Sequence, residues 1–147
     1  MTLEVDLVTR VPDLLLPYID GWTVQEPHLV DLEIVNSMQE QMDAGIAWLF
    51  KHGGTYVFMI RKTPWIGDMH IYNIGSTWGM AKAIRPITEA ALKMFPKLEA
   101  RMRDKRIGRM IERYGWRQEA VYRSSFCTRD GQFLDEYGYG VTKWARL

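Results

Sequence analysis

The sequence predicts one mixed α/β domain with a mostly antiparallel central sheet flanked by helices, and three stretches carry that prediction. Ile46 to Ile74 holds three β-type runs broken by glycine- and proline-bearing turns, the pattern of a meander. Met69 to Phe95 reads as a strand, a glycine-bounded turn and a helix. Glu119 to Thr142 reads as two strands joined at Arg129, Asp130 and Gly131, a strong hairpin signal. At 147 residues the chain supports one real core and is too short for two typical domains.

In order along the chain, Leu3 to Thr9 alternates apolar and polar residues at the period of a half-buried strand, with Leu3, Val5 and Leu7 on the apolar side. Leu14, Leu15 and Leu16 form no more than a helical turn before Pro17, and Asp20, Gly21 and Pro27 mark loop. From His28 to Asp43, Leu29, Leu32, Ile34, Val35 and Met38 recur at helical spacing, with Asp31, Glu33, Gln39 and Glu40 toward solvent. Gly45 stops this helix. Ile46 to Phe50 is a strand, the turn Lys51–Gly54 reverses it, and Thr55 to Arg61 is its antiparallel partner. A loop at Pro64, Trp65, Ile66 and Gly67 leads to the central strand, Met69 to Ile74. In the helix that follows Gly79, Pro86 removes a donor and crowds the preceding turn, which predicts a kink or a later start. Leu98 to Met102 is a short strand. Asp104 caps a helix with Ile107, Met110 and Ile111 inward and Arg106, Arg109, Glu112 and Arg113 outward, ending at Gly115.

Composition narrows the function classes. Hydrophobic residues are 47% and charged residues 25%, ordinary for a soluble globular chain, and the net charge of +1 advertises neither nucleic acid nor membrane. Lys97, Arg101, Arg103, Lys105, Arg106, Arg109 and Arg113 are a local basic cluster, readable as a solvated face or as an attractor for a polyanion. RNA binding through it lacks the exposed interleaved aromatics that single-strand recognition needs. The single cysteine, Cys127, excludes an intrachain disulfide and a cysteine-rich metal site, and reads as a small hydrophobe. With Glu4 and Asp6 where a secretory signal needs a basic start, and no bilayer-length apolar run, an intracellular, cytoplasmic protein is expected.

The chemistry-bearing stretch is the turn between Met69 and Phe95. A strand entering a helix across Gly75, Ser76, Thr77, Trp78 and Gly79 leaves the first helical N–H groups unpaired and converging, a natural seat for a phosphate. The same arrangement occurs in many turns that bind nothing.

Taken with the element order, these residues resemble the GCN5-related N-acetyltransferase (GNAT) superfamily from about Leu29 to Lys143. Leu98–Arg101 is similar to the family's fifth strand, and Ile107 through Gly115 and Trp116 to the helix that ends Leu-Gly-Phe. Gln118–Arg123 is similar to the Glu-Gly-Val-Leu-Arg strand, and Arg129–Glu136 to the Arg-Asp-Gly-x-x-x-Asp-Glu hairpin of the ribosomal-protein and amino-acid acetylating branch.

The resemblance implies a central pair of strands splayed to admit acetyl-CoA, and transfer of its acetyl group to the primary amine of a small molecule or protein. The family's cofactor motif, Gln/Arg-x-x-Gly-x-Gly/Ala, falls on Ser76, Thr77, Trp78, Gly79, Met80 and Ala81. Gly79 and Ala81 fit, Ser76 replaces the long donor, and Lys82 or Arg85 offers charge. Gly75 to Lys82 would then hold the pyrophosphate, and strand amides at Tyr72, Asn73 and Ile74 would polarise the thioester carbonyl. Asp104 stands where the family has an Asn. Ile111 stands where the family has a proton-donating Tyr, which leaves Tyr114 and Tyr122 as candidates, provided their hydroxyls reach the sulfur. His70, on the strand that commonly carries a Glu base, is the candidate general base or else a structural hydrogen-bonder, with Asp68 a second candidate. Trp22, Trp65 and the final hairpin would shape the acceptor pocket.

A narrower resemblance, through Gln41, Asp43–Trp48 and Thr128–Phe133, is to GNAT-like proteins encoded by bacteriophages, including an internal virion protein of short-tailed phages. It implies an alternative in which the fold is kept without the chemistry, for virion assembly or host interaction, in the host cytoplasm or the virion.

Overall fold

The computed structural model describes residues 5–18, 27–128 and 130–144, with residues 16–18 and 27–34 as backbone only. Leu3, Glu4, Asp20, Gly21, Trp22 and Arg129, and the side chains of Leu16, Leu29, Asp31, Leu32, Glu33 and Ile34, therefore lie outside the described residues. The order is β1 (Asp6–Val8), a 3-10 turn (Asp13–Tyr18), α1 (Pro27–Asp43), β2 (Ala47–His52), β3 (Thr55–Thr63), β4 (Ile66–Asn73), α2 (Thr77–Leu92), β5 (Lys97–Met102), α3 (Lys105–Glu112), β6 (Arg117–Cys127) and β7 (Phe133–Thr142).

All the strands join one sheet, in the order β1-β2-β3-β4-β5-β7-β6. Every neighbouring pair is antiparallel except β4 and β5. That parallel ladder is short. It runs from Ile66↔Lys97 to Met69↔Ala100 and stops, although β4 continues to Asn73 and β5 to Met102. Beyond Met69 the two strands part, and this gap is the expected splay.

Several boundaries differ from the sequence expectation. Lys51 and His52 belong to β2, leaving only Gly53 and Gly54 in the turn, because register with Tyr56 and Thr55 is kept to the last pair. Ile66 and Gly67 belong to β4, because Ile66 already pairs with both Thr63 and Lys97. Helix α2 begins at Thr77, before Gly79, and runs through Pro86. Ser76 caps it, its hydroxyl accepting the Gly79 N–H at 3.0 Å, so the helix starts at its cap and not after its proline. In β1, Leu7 is 57% exposed while Val5 and Val8 pack against the two cores. An edge strand this short does not impose the predicted alternation.

The sheet separates two apolar clusters. On one face α2 buries Ala83, Ile84, Ile87 and Ala91, spaced as one helical stripe, over Val57, Met69, Leu98 and Ala100. The side chain of Trp116, at the Phe position of the resemblance, is sealed there with its indole N–H donated to the buried Thr88 hydroxyl at 3.2 Å. On the other face Leu15 and Met38 meet Leu49, Tyr56 and Phe58.

Helix α3 has only 8 residues, too few to hold itself. Its ends and one tight contact hold it. Gly115 takes φ of 93° after its last turn, and Gly108 lies flat against the Tyr139 ring of β7. Asp104 accepts the Arg106 N–H at 2.9 Å and grips the Arg106 guanidinium, which holds its carboxyl below the ordinary carboxylate range. A lowered folded pKa means this stabilisation is complete above the unfolded carboxylate value and lost as pH falls through the folded one. We expect Asp104→Ala to cost about 1 kcal/mol near neutral pH, mostly through the cap because the ion pair is exposed. In thermal melts the gap between variant and wild type should narrow as pH falls below the ordinary aspartate range.

Candidate active site

The gap between β4 and β5 organises the site. The Ile74 N–H is donated to the Gly54 carbonyl at 2.8 Å, on the β3 side of β4. Backbone groups alternate between the two edges of a strand, so the amides of His70 and Tyr72 also point toward β3, and those of Ile71 and Asn73 point toward β5. There the ladder has ended, and these two N–H groups face the gap. Of Tyr72, Asn73 and Ile74, then, Asn73 alone offers its amide to the gap. Ile71, which the sequence reading did not single out, offers the second.

The turn beyond β4 is tied down from three sides. The Asn73 carboxamide accepts the Thr55 hydroxyl at 2.9 Å and donates to the Gly75 and Ser76 carbonyls at 2.9 and 3.2 Å. Gly54 approaches Gly75 so closely that a Cβ on Gly54 would stand 2.8 Å from the Gly75 nitrogen. Ser76 closes the first turn of α2 by taking the Gly79 N–H, and Met80 donates back to the Ser76 carbonyl. Among the described residues, the Thr77 and Trp78 N–H groups have no partner and lie at the positive end of the helix. Trp78 is 70% exposed, with the Lys82 ammonium 5.1 Å from its ring centroid. Arg85, the other cation considered, is paired with Glu89.

The proton-donor candidates fall in different places. Ile111 is 2% exposed and lines a small apolar cavity with Met69 and Ala100, the last pair of the parallel ladder. The position the resemblance gives to a tyrosine is thus closed and carries no proton. The Tyr114 hydroxyl donates to the Ala81 carbonyl in the first turns of α2 at 3.3 Å, so it is tied to the same turn as the anion seat. Tyr122 belongs to the opposite face, stacked on Arg101 with the guanidinium carbon 3.8 Å from the ring centroid. Asp104 is engaged in its cap and in Arg106.

On that opposite face lies a cleft of about 380 Å³ lined by Lys62, Asp68, His70, Glu99, Arg101, Glu119 and Tyr122. Small residues on β7 make room for it: the Glu119 carboxylate lies over Gly140 and the Tyr122 ring over Gly138. Lys62 meets Glu99 at 2.7 Å, which raises the lysine pKa, and Lys97 meets Glu119 at 3.0 Å. His70 Nε2 stands 3.7 Å from Asp68. A second hollow of about 170 Å³ lies under α1, between Met38, Gln41, Phe58, Ile60 and Tyr72, and His70 lines both. Trp65 sits exposed in the β3–β4 turn and lines neither hollow.

The sequence reading gave no site role to Lys62, Glu99 or Glu119, and took Arg101 as part of the fifth-strand resemblance and of the basic cluster. The signal was available in β5, where Lys97, Glu99 and Arg101 alternate with Leu98, Ala100 and Met102. Charges at every second position of a strand with partners on both sides mark a polar floor. The basic cluster itself is largely absorbed: Lys97 and Arg106 are in ion pairs, while Arg101, Arg103 and Lys105 lie over Tyr122, Phe126 and Tyr137. Among the described residues, no group of His, Cys, Asp and Glu is arranged to hold a metal, and no helix is long and apolar enough to cross a membrane.

No protein-family model and no curated protein sequence matches the chain. Solved structures do. A ribosomal-protein-alanine N-acetyltransferase from Brucella melitensis is 15% identical, with 95% of this chain and 99% of that one covered at a TM-score of 0.64. A spermidine N-acetyltransferase from Vibrio cholerae, in complex with CoA and spermine, is 14% identical over 95% and 96% of the two chains at 0.64. A GNAT superfamily phosphinothricin acetyltransferase from Sinorhizobium meliloti, in complex with AcCoA, is 12% identical over 97% and 89% at 0.64. The splayed seven-stranded sheet and its three flanking helices are the fold of the GNAT acetyltransferases.

Proposed function

We propose that the protein transfers the acetyl group of acetyl-CoA to a primary amine. The observation that carries this reading is the end of the β4–β5 ladder at Met69↔Ala100, which leaves the Ile71 and Asn73 amides aimed into an open gap beside an α2 N-terminus with two free N–H groups. These residues suit acetyl-CoA at both of its polar parts. Thr77 and Trp78 N–H groups, with Lys82 nearby, would bind the pyrophosphate, and the gap amides would bind the thioester oxygen as its charge grows. When bound, the cofactor supplies an activated acyl group with a thiolate leaving group.

The remaining roles fall to side chains. His70, on the cleft side of the gap, takes a proton from the substrate ammonium so that the free amine can attack the thioester carbon. Ile111 donates no proton, and the Tyr114 hydroxyl is engaged with Ala81, so the departing thiolate takes its proton from water at the open end of the gap. A screen of primary amines, read as free thiol released from acetyl-CoA, tests the reading: amine-dependent release supports it, and acetyl-CoA left intact with every amine class contradicts it.

A second reading is favoured by two observations. Ser76 already occupies the Gly79 N–H, and Ile111 replaces the proton donor. In that reading the protein is a non-catalytic GNAT-fold module of a bacteriophage, acting in virion assembly or on a host protein.

A further inference from the structure

The cleft beside His70 carries a charge pattern that defines its occupant. Besides His70, five charged side chains line it, and three of them are matched: Lys62 with Glu99, and Glu119 with Lys97, which lies outside the lining. Two are left. Asp68 has no ion pair except His70, 3.7 Å away, with Lys62 near enough to feel its charge, and Arg101 has no carboxylate within ion-pair distance among the described residues. The Arg101 guanidinium carbon instead lies 3.8 Å from the Tyr122 ring centroid, a cation–π contact that holds the group beside the ring and leaves its N–H fork without an acceptor. A guanidinium without a carboxylate partner in a cleft is suited to a bidentate oxyanion.

Placement sharpens this. Asp68 and Glu99 are direct partners across the β4–β5 ladder, and Arg101 is two residues further along β5 on the same face. Strand spacing and rise put the Cα atoms of Asp68 and Arg101 roughly 8 Å apart. His70 and Arg101 are the first residues on that face beyond the last ladder pair, one on each side of the gap. One negative and one positive group thus line the same cleft, Asp68 on its β4 side and the Arg101 guanidinium, beside the Tyr122 ring, on its β7 side.

Resting on the acetyltransferase reading, we infer that the acceptor is a free amino acid, its ammonium group directed to Asp68 and His70 and its carboxylate bound by Arg101. A polyamine offers nothing to Arg101. A peptide N-terminus carries an amide where the carboxylate is required.

The test compares L-amino acids with the corresponding amino acid amides and with spermidine. The protein bound to CoA is titrated calorimetrically with each, and kcat/KM is then measured with acetyl-CoA. Free acids should bind and react at least 10-fold better than their amides. Arg101→Gln should raise KM for acids about 10- to 100-fold, the loss of one charged hydrogen-bonded pair, and leave amides unchanged. Tyr122→Leu, which keeps the cation and removes its platform, should give a smaller rise of the same kind. Amides or spermidine used as well as the acids would overturn the inference, as would Arg101→Gln weakening both classes alike, or CoA bound with no amino acid engaged. The acetyltransferase reading survives the first two of these, and a protein that does not bind CoA at all removes both.

Discussion

His70→Ala is expected to lower kcat for amine acetylation by about 100-fold while leaving the melting temperature nearly unchanged. A positioned general base contributes roughly 10²–10⁴ in rate, and the lower end suits a histidine whose nearest carboxylate is beyond hydrogen-bond distance. Stability should hold because His70 is not part of either apolar core. Its position makes it the candidate base: it lines both hollows of the open face and is the first residue of β4 beyond the last pair with β5. A structural hydrogen-bonder would give the reverse pattern, a lower melting temperature with the rate preserved. Activity at high pH, where the amine is already free, should be partly restored in the variant, since the base is then less needed.

Gly108→Ala should destabilise the fold by about 1–3 kcal/mol, the usual cost of forcing an extra carbon into a packed site. A Cβ there would overlap the Tyr139 hydroxyl and ring, and Tyr139 is only 3% exposed. For a chain of this size each kcal/mol lowers the melting temperature by roughly 2–4 °C. Adding Tyr139→Leu should recover part of the loss, because it removes the overlapping atoms. If the single variant melts with the wild type, α3 is not seated on β7 as described.

The strands and helices were legible because burial writes its period into the chain: Val57 and Met59 alternate with Tyr56 and Phe58 between the two faces, and α2 carries its stripe through Pro86. Boundaries at Lys51–His52 and Ile66–Gly67 were not legible, since pairing carried both strands through residues that favour turns. In the site, the glycine turn after β4 and the face that carries His70 followed from pattern. Which amides enter the gap did not, because that depends on where the β4–β5 ladder ends, and a ladder's length is a property of two strands together. The Ser76 cap was equally hidden. A serine at a missing-donor position and a serine closing its own helix are the same letter, and only the 3.0 Å bond to the Gly79 N–H separates them. Arg101 was counted with its basic neighbours because its ring partner, Tyr122, arrives from a strand 21 positions later.

The most direct measurement is calorimetric titration of the wild type and of Gly79→Glu with acetyl-CoA. A Cβ at position 79 meets the Ser76 hydroxyl at 3.3 Å, and the carboxylate beyond it would bring a negative charge to the proposed pyrophosphate seat. The wild type should bind saturably, and the variant, still melting cooperatively, should lose about 100-fold or more in affinity. Failure of the folded wild type to bind acetyl-CoA would contradict the acetyltransferase reading.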